Sequence, residues 1–424
     1  MTYLIQLDDK TRNILVLFTI LCVLYNSILA LTNSLISPIS RGIVILTEVL
    51  LVANIVLILL INQLRAIDKW PLLLFIVALF SAGLTYLASH VLFIDAIRNI
   101  LIITVFTMVG VRLTEQNIHL LMLFVSLIVA FILAIEVIDI SWYAAIFNPA
   151  SYFQNTRGIE IQEFNESGLF NNALGFEERF SFGIFSGPRT SSIFLEQVSL
   201  ANFSTVLSLY LLLFWSALNK GKRLFFIVLI LTICLSNETR TGSFLALFFL
   251  FGAVGFVYFP RFSNVLIPFI ALVFGFAIVI FGDATNYGDN LVGRLQYGMS
   301  LFFDLSLVDY FGFGLHKLND LWDSGFGYLV VSSTIFGAIA LLFYIVNLLP
   351  QQTLQAKQCA IAFNSYIFLN LMIGGNAIYS IKTAALLWII VGFIYKRELA
   401  AHHHINNIEQ YAGDRTLKNG YLLS

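Results

Sequence analysis

Long apolar runs alternate with short polar breaks over most of the chain. A helix needs roughly 20 apolar residues to cross a bilayer. By that measure the sequence predicts about twelve spans, near 14–32, 43–61, 71–89, 92–110, 119–138, 195–217, 224–239, 242–259, 264–282, 326–347, 359–376 and 380–395. The seventh and eighth are short and tightly joined. The runs are too long for the strands of an outer-membrane barrel and lack their period-two alternation. The expected fold is an all-α polytopic membrane protein, one transmembrane domain over 1–424.

Two polar stretches interrupt this pattern. The first, 139–194, carries Asn155, Arg157, Glu160, Glu163, Glu166, Glu177, Glu178 and Arg179. Its many aromatics, Tyr152, Phe153, Phe164 and Phe170 among them, argue against disorder. It reads as a structured loop over one mouth of the bundle. The second, 283–325, is acidic, with Asp283, Asp289, Asp304, Asp309, Asp320 and Asp323. A polar tail is expected over 396–424.

Composition agrees: 59% of the 424 residues are hydrophobic and 11% charged, and the mean hydropathy is +0.89. Soluble domains carry about 25% charged residues, so this chain needs hydrocarbon around it. A net charge of −1 gives no sign of nucleic acid. Cys22, Cys234 and Cys359 lie in or beside apolar runs without metal-ligand spacing and read as core residues. His402-His403-His404 lacks a partner ligand and reads as solvated filler rather than a metal site. No phosphate-binding GxxxxGK[ST] loop occurs.

Orientation follows from Lys and Arg placement. With the N-terminus inside, 14 of the 23 basic residues fall on the inner side, including Arg65, Arg112, Lys222, Lys357 and Lys396. Both termini are then inside, and both polar stretches share the outer face.

Several charges on that face invite two readings each. Arg189 precedes a span and Glu196 follows seven residues later, close to two helical turns. They form either an interfacial Arg with a Glu balancing the helix dipole, or an anion site in which the guanidinium fork and helix amides grip phosphate oxygens. Arg240, in Ser236-Asn237-Glu238-Thr239-Arg240-Thr241-Gly242-Ser243, is either part of a tight polar turn or a second cation at the same mouth. Arg294 either pairs with a loop acid or joins Arg189 and Arg240 in neutralising a diphosphate. His316 and Asp323 are candidate proton-handling groups. Their alternatives are a loop His and, in Asp323-Ser324, a helix cap. Asp95 and Arg98 are spaced i,i+3 and either neutralise each other or mark a functional site within the membrane. Glu48 and Glu136 stand near apolar segments, with no placement legible from sequence.

Three segments resemble the polysaccharide polymerase (Wzy) family, within the O-antigen ligase and polymerase superfamily. They are Arg189-Thr190-Ser191-Ser192-Ile193-Phe194-Leu195-Glu196, then Leu235 through Ser243, and a stretch from Gly293-Arg294 through Gly312-Phe313-Gly314 and Asp323-Ser324-Gly325-Phe326-Gly327-Tyr328 to Gly337. Arg157 and Gly168 also fit an Arg-x10-Gly spacing described in polymerase loops. The ligase branch has a His followed by Asn, Ser or Gln where this chain has Asp323-Ser324, and His316 is followed by Lys317.

The resemblance implies a bacterial inner-membrane glycosyltransferase working at the periplasmic face. It would polymerise undecaprenyl-diphosphate-linked oligosaccharide repeat units without metal or nucleotide-sugar cofactor, alongside a chain-length regulator and a flippase. Arg189, Arg240 and Arg294 would hold the diphosphate. Asp323, Glu196 and His316, in that order, are the candidate catalytic proton acceptors. Trp322, Tyr297 and Tyr152 could stack on sugar faces. The rival expectations are an O-antigen ligase using the same carrier and a transporter or flippase of lipid-linked sugars. A transporter should show intramembrane charge or broken helices at mid-depth.

Overall fold

The computed structural model describes residues 7–162, 165–174, 181–184, 187–282, 291–374 and 376–420, with the backbone alone for 376 and 402–420. Among these residues the structure is helical throughout, without strands. In order the helices are α1 (Asp9–Leu35), α2 (Arg41–Ile61), α3 (Lys69–Ser89), α4 (Ile94–Arg112), α5 (Glu115–Ile138), α6 (Ile140–Phe147), α7 (Pro149–Arg157) and α8 (Gln197–Phe214). They continue with α9 (Lys220–Asn237), α10 (Arg240–Gly255), α11 (Ser263–Phe281), α12 (Leu291–Phe303), α13 (Gly325–Asn347), α14 (Leu354–Ile373) and α15 (Ile381–Gly420).

The twelve predicted runs fall on α1 to α5, α8 to α11 and α13 to α15. Among the described residues, eight helices are long and apolar enough to cross a membrane: α1 to α5, α8, α11 and α13. Helix α9 carries Lys220, Lys222 and Arg223 in its first turn, and α10 is only 16 residues long. The molecule is a polytopic helical protein of membrane character. Helix α8 is 89% buried in its apolar window and α4 72%, whereas α2 and α11 are 22% and 11% buried. The first two form the centre and the second two present apolar faces to lipid.

Helices α4 and α15 touch backbone to backbone. A Cβ on Gly110 would collide with the Ile389 carbonyl, and one on Gly392 with the Thr107 carbonyl. Small residues allow this approach, which is how helices associate where no hydrophobic effect pulls them together. Below this contact, Arg112 grips Asp68 through two bonds of 2.8 and 2.7 Å, both side chains fully buried. Lys396 donates to the Leu113 carbonyl at 2.9 Å.

Three stretches read from the sequence as loop or tail contain helix. The stretch 139–194, read as a structured loop, begins with two short helices. Asp139 caps α6 through Ser141, and left-handed Asn148 (φ 38°) with Pro149 at N1 turns the chain into α7. Tyr152 then bonds Asn26 at 2.6 Å and Ser34 bonds the Ala145 carbonyl at 3.1 Å, tying this pair to α1. Likewise 291–303 within the second polar stretch is helical, as α12. The region 396–420, expected as a tail, continues α15, because its residues are mostly good helix formers with no Pro or Gly before Gly413.

Helix α13 is interrupted at Ser333 and Thr334, the latter at φ 54° and ψ 170°. The Ser81 hydroxyl of α3 donates to the Ser333 carbonyl and lies 2.9 Å from the Thr334 hydroxyl. It thereby satisfies a backbone group released by the break.

Candidate functional site

The site is built around the segment entering α8. Glu136, in the last turn of α5, is buried and accepts from the Ser191 amide at 2.9 Å and the Ser192 amide at 2.7 Å. The Tyr143 hydroxyl donates to the Ser192 carbonyl at 2.8 Å. These bonds hold Ser192 (φ 48°) and Leu195 (φ 63°) in the left-handed region, costly for side chains other than Gly and maintained only when surroundings impose it. The helix therefore starts at Gln197 and not near Arg189. The two-turn helical spacing of Arg189 and Glu196 does not form, because the intervening backbone holds only one 3-10 turn, Ser192–Phe194, bounded by left-handed Leu195.

Glu196 sits immediately before α8. One carboxylate oxygen pairs with Arg157 from α7. The other lies 2.9 Å from the Lys382 ammonium at the start of α15 and accepts from the Ser199 hydroxyl at 2.9 Å. Lys382 also donates to the Phe194 carbonyl at 3.3 Å, and the Arg157 guanidinium lies 4.5 Å from the centre of the Phe153 ring. One carboxylate between two cations leaves a surplus of one positive charge.

These three side chains face a cavity of about 580 Å³, with Arg98, Asp95 and Tyr328 on another wall. Of the two readings of Asp95 and Arg98, the i,i+3 pair does not form. Arg98 turns to Glu48 of α2, which also accepts from the Tyr25 hydroxyl at 3.1 Å. A carboxylate as enclosed as Glu48 needs a partner more than exposed Asp95 does. The remaining wall is rich in amides and aromatics, including Asn26, Asn202, Phe170 and Trp322.

A second cavity of about 260 Å³ shares Val198, Asn202, Trp322 and Ala377 with the first. Arg294 and Asp323 both line it, beside Thr239 and Thr241. Two residues expected at the site are thus brought together. Ser324 caps α13 through the Gly327 amide at 3.2 Å.

Arg189 and Arg240 lie on two segments bonded to each other and line neither cavity. The Thr190 amide donates to the Ser236 carbonyl at 3.2 Å, and Asn237 donates to the carbonyls of Thr190 and Gln197 at 2.6 and 2.9 Å. This stitches the segment carrying Arg189 to the α9–α10 turn carrying Arg240. His316 is exposed on a short 3-10 turn (Leu315–Asp320) and lines neither cavity. Sequence reasoning gave no site role to Lys382 or Glu136. The signal for each was a lone charge at the edge of an apolar run.

Compared with known family models, curated proteins and solved structures, the chain matches none.

Proposed function

We propose that this chain is a membrane glycosyltransferase that polymerises undecaprenyl-diphosphate-linked oligosaccharide repeat units at the periplasmic face of a bacterial inner membrane, through twelve membrane-crossing helices with both termini cytoplasmic. The observation that carries the reading is the larger cavity. It places Arg98, Arg157 and Lys382 among amide, hydroxyl and aromatic side chains at one end of an apolar bundle. A lipid diphosphate needs fixed positive charge where its own charge develops, and its tail needs hydrocarbon alongside. The sugar needs hydrogen-bonding amides and flat aromatic faces.

In this reading an acceptor hydroxyl attacks the anomeric carbon of the donor sugar. The bond from that carbon to the phosphate oxygen breaks, the lipid diphosphate departs with the electron pair, and the hydroxyl proton passes to Asp323. Arg157 and Lys382 stabilise the departing diphosphate, with Arg294 in the adjoining cavity. Both oxygens of Glu196 are engaged by cations, so it orders those cations rather than taking a proton. Arg189 and Arg240 flank the site. A flippase would supply the repeat units and a chain-length regulator would limit the product.

Ligation of finished glycan to lipid A-core or protein would use the same donor chemistry. Transport of lipid-linked sugar is the second reading, favoured by the break in α13, since transporters build sites at interrupted helices. Against it, Ser333 and Thr334 line neither cavity and are served locally by Ser81.

The test is single Arg157→Ala, Lys382→Ala, Arg189→Ala, Arg240→Ala and Arg294→Ala variants in a host that depends on this protein. Polymerisation expects surface glycan to shrink from long chains to single repeats for Arg157→Ala and Lys382→Ala at normal protein levels. Transport expects repeats to accumulate on the inner leaflet. Unaltered chain length in all five removes the diphosphate site.

A further inference from the structure

Ten buried side-chain polar atoms lack a hydrogen-bond partner among the described residues, and three of them, Gln197 Oε1, Tyr379 Oη and Thr383 Oγ1, belong to residues that line the larger cavity. All three residues are at least nine-tenths buried, at 4%, 4% and 1% exposure. Buried polar groups are nearly always satisfied, and a group that is not calls for a specific explanation. These stand beside the paired charges in sequence: Gln197 follows Glu196, and Tyr379 and Thr383 flank Lys382. Irregular loop backbone does not account for Gln197 or Thr383, which are in the first turns of α8 and α15.

Their chemistry selects among ligands. The two hydroxyls can donate or accept, but an amide oxygen only accepts. A phosphate or carboxylate offers acceptors alone and leaves Gln197 Oε1 unsatisfied. A sugar ring offers hydroxyls, and in amino sugars an amide N–H, which both give and take hydrogen bonds. The nearby cations suit the anionic end of a substrate, and neither Arg157 nor Lys382 donates to Gln197 Oε1.

We infer that Gln197, Tyr379 and Thr383 form a carbohydrate subsite between the starts of α8 and α15, which binds hydroxyl or acetamido groups of the sugar next to the diphosphate. This deepens the proposed function and rests on its placing a lipid-linked sugar in this cavity. It assigns sugar recognition and diphosphate recognition to different residues of one chamber.

The assignment separates from a structural role because the orphaned atoms stabilise nothing in the free protein. Deleting an unsatisfied buried polar atom is neutral or stabilising, whereas deleting a bonded one is destabilising. The experiment uses full-length protein in lipid nanodiscs and the variants Thr383→Val, Tyr379→Phe, Gln197→Met and Arg157→Ala. Two probes are compared: undecaprenyl diphosphate without sugar, and the lipid-linked repeat extracted from cells lacking this gene. Thr383→Val and Tyr379→Phe are expected to keep or raise the melting temperature, whereas Gln197→Met also loses the Nε2 bond to the Arg189 carbonyl and is read by binding alone. Each of the three should weaken the sugar-bearing lipid by about 3- to 10-fold, the worth of one ordinary hydrogen bond, and leave the bare diphosphate unchanged. Arg157→Ala should weaken both. Lowered melting temperature with unchanged binding of both probes, or equal weakening of both by the subsite variants, overturns the subsite while leaving the proposed function standing. Failure of wild-type protein to bind either probe overturns both.

Discussion

The Lys382 ammonium lies 2.9 Å from a Glu196 carboxylate oxygen, across 186 residues of sequence. The pair joins the start of α15 to the start of α8 and forms one wall of the cavity. Because Glu196 also holds Arg157, the two partners are not equivalent.

Glu196→Gln leaves Lys382, whose side chain is 5% exposed, without its counter-charge. Removing one partner of a buried pair costs about 3–5 kcal/mol. Lys382→Met leaves Glu196 with Arg157 still in place and should cost less, about 1–3 kcal/mol. Thermal unfolding of the two purified variants in detergent checks the order, and a larger loss for Lys382→Met contradicts it.

Asp309 gives a pH dependence outside the spans. Burial by itself raises its carboxyl, but the Lys317 ammonium at 2.6 Å and the Ser306 hydroxyl and amide outweigh burial and hold it below the usual aspartate range. A depressed carboxyl stabilises the fold above the unfolded value of about 3.9 and loses that contribution as pH falls below it. Hydrogen exchange over 306–320 should be unaffected by this group between pH 7 and 5, then rise in acid. Asp309→Asn should raise exchange at neutral pH and remove the acid step.

Gly110→Ala and Gly392→Ala each place a methyl against a backbone carbonyl of the facing helix. Neither carbonyl can swing aside as a side chain would, so the helices must separate. Overpacking of this kind costs about 1–3 kcal/mol and sometimes more. A lower melting temperature for both single variants, with Gly83→Ala unaffected because nothing lies within 4 Å of its Cβ position, is the expected pattern.

Ser81→Ala removes the hydroxyl that serves the break in α13. A buried group left unsatisfied costs about 1–3 kcal/mol. If the break is structural, this variant should unfold earlier with unchanged ligand affinity. A change in affinity at unaltered stability would favour the transport reading.

Much of the helical architecture was legible because an apolar run some twenty residues long has few alternatives in lipid. The cap at Ser324 was legible for a local reason, a hydroxyl three residues before a free amide. The site was harder. Glu196 and Lys382 are distant in sequence, and no periodicity links them. Asp95 and Arg98 had the spacing of a pair, yet Arg98 answered the greater need of enclosed Glu48 on another helix. Arg294 and Asp323 were singled out separately, and folding set both on one small cavity. His316 was chosen for its ring chemistry alone, and exposure on a turn leaves it outside.

The bare contact between α4 and α15 has a reach beyond packing. Arg98 is twelve residues before Gly110, and Lys382 ten before Gly392, so each cation hangs about three turns from the same clasp. Two positions without side chains thereby set the relative height of two charges they never touch. A sliding of these helices by a fraction of a turn would change the height of one cation against the other within the cavity they both line.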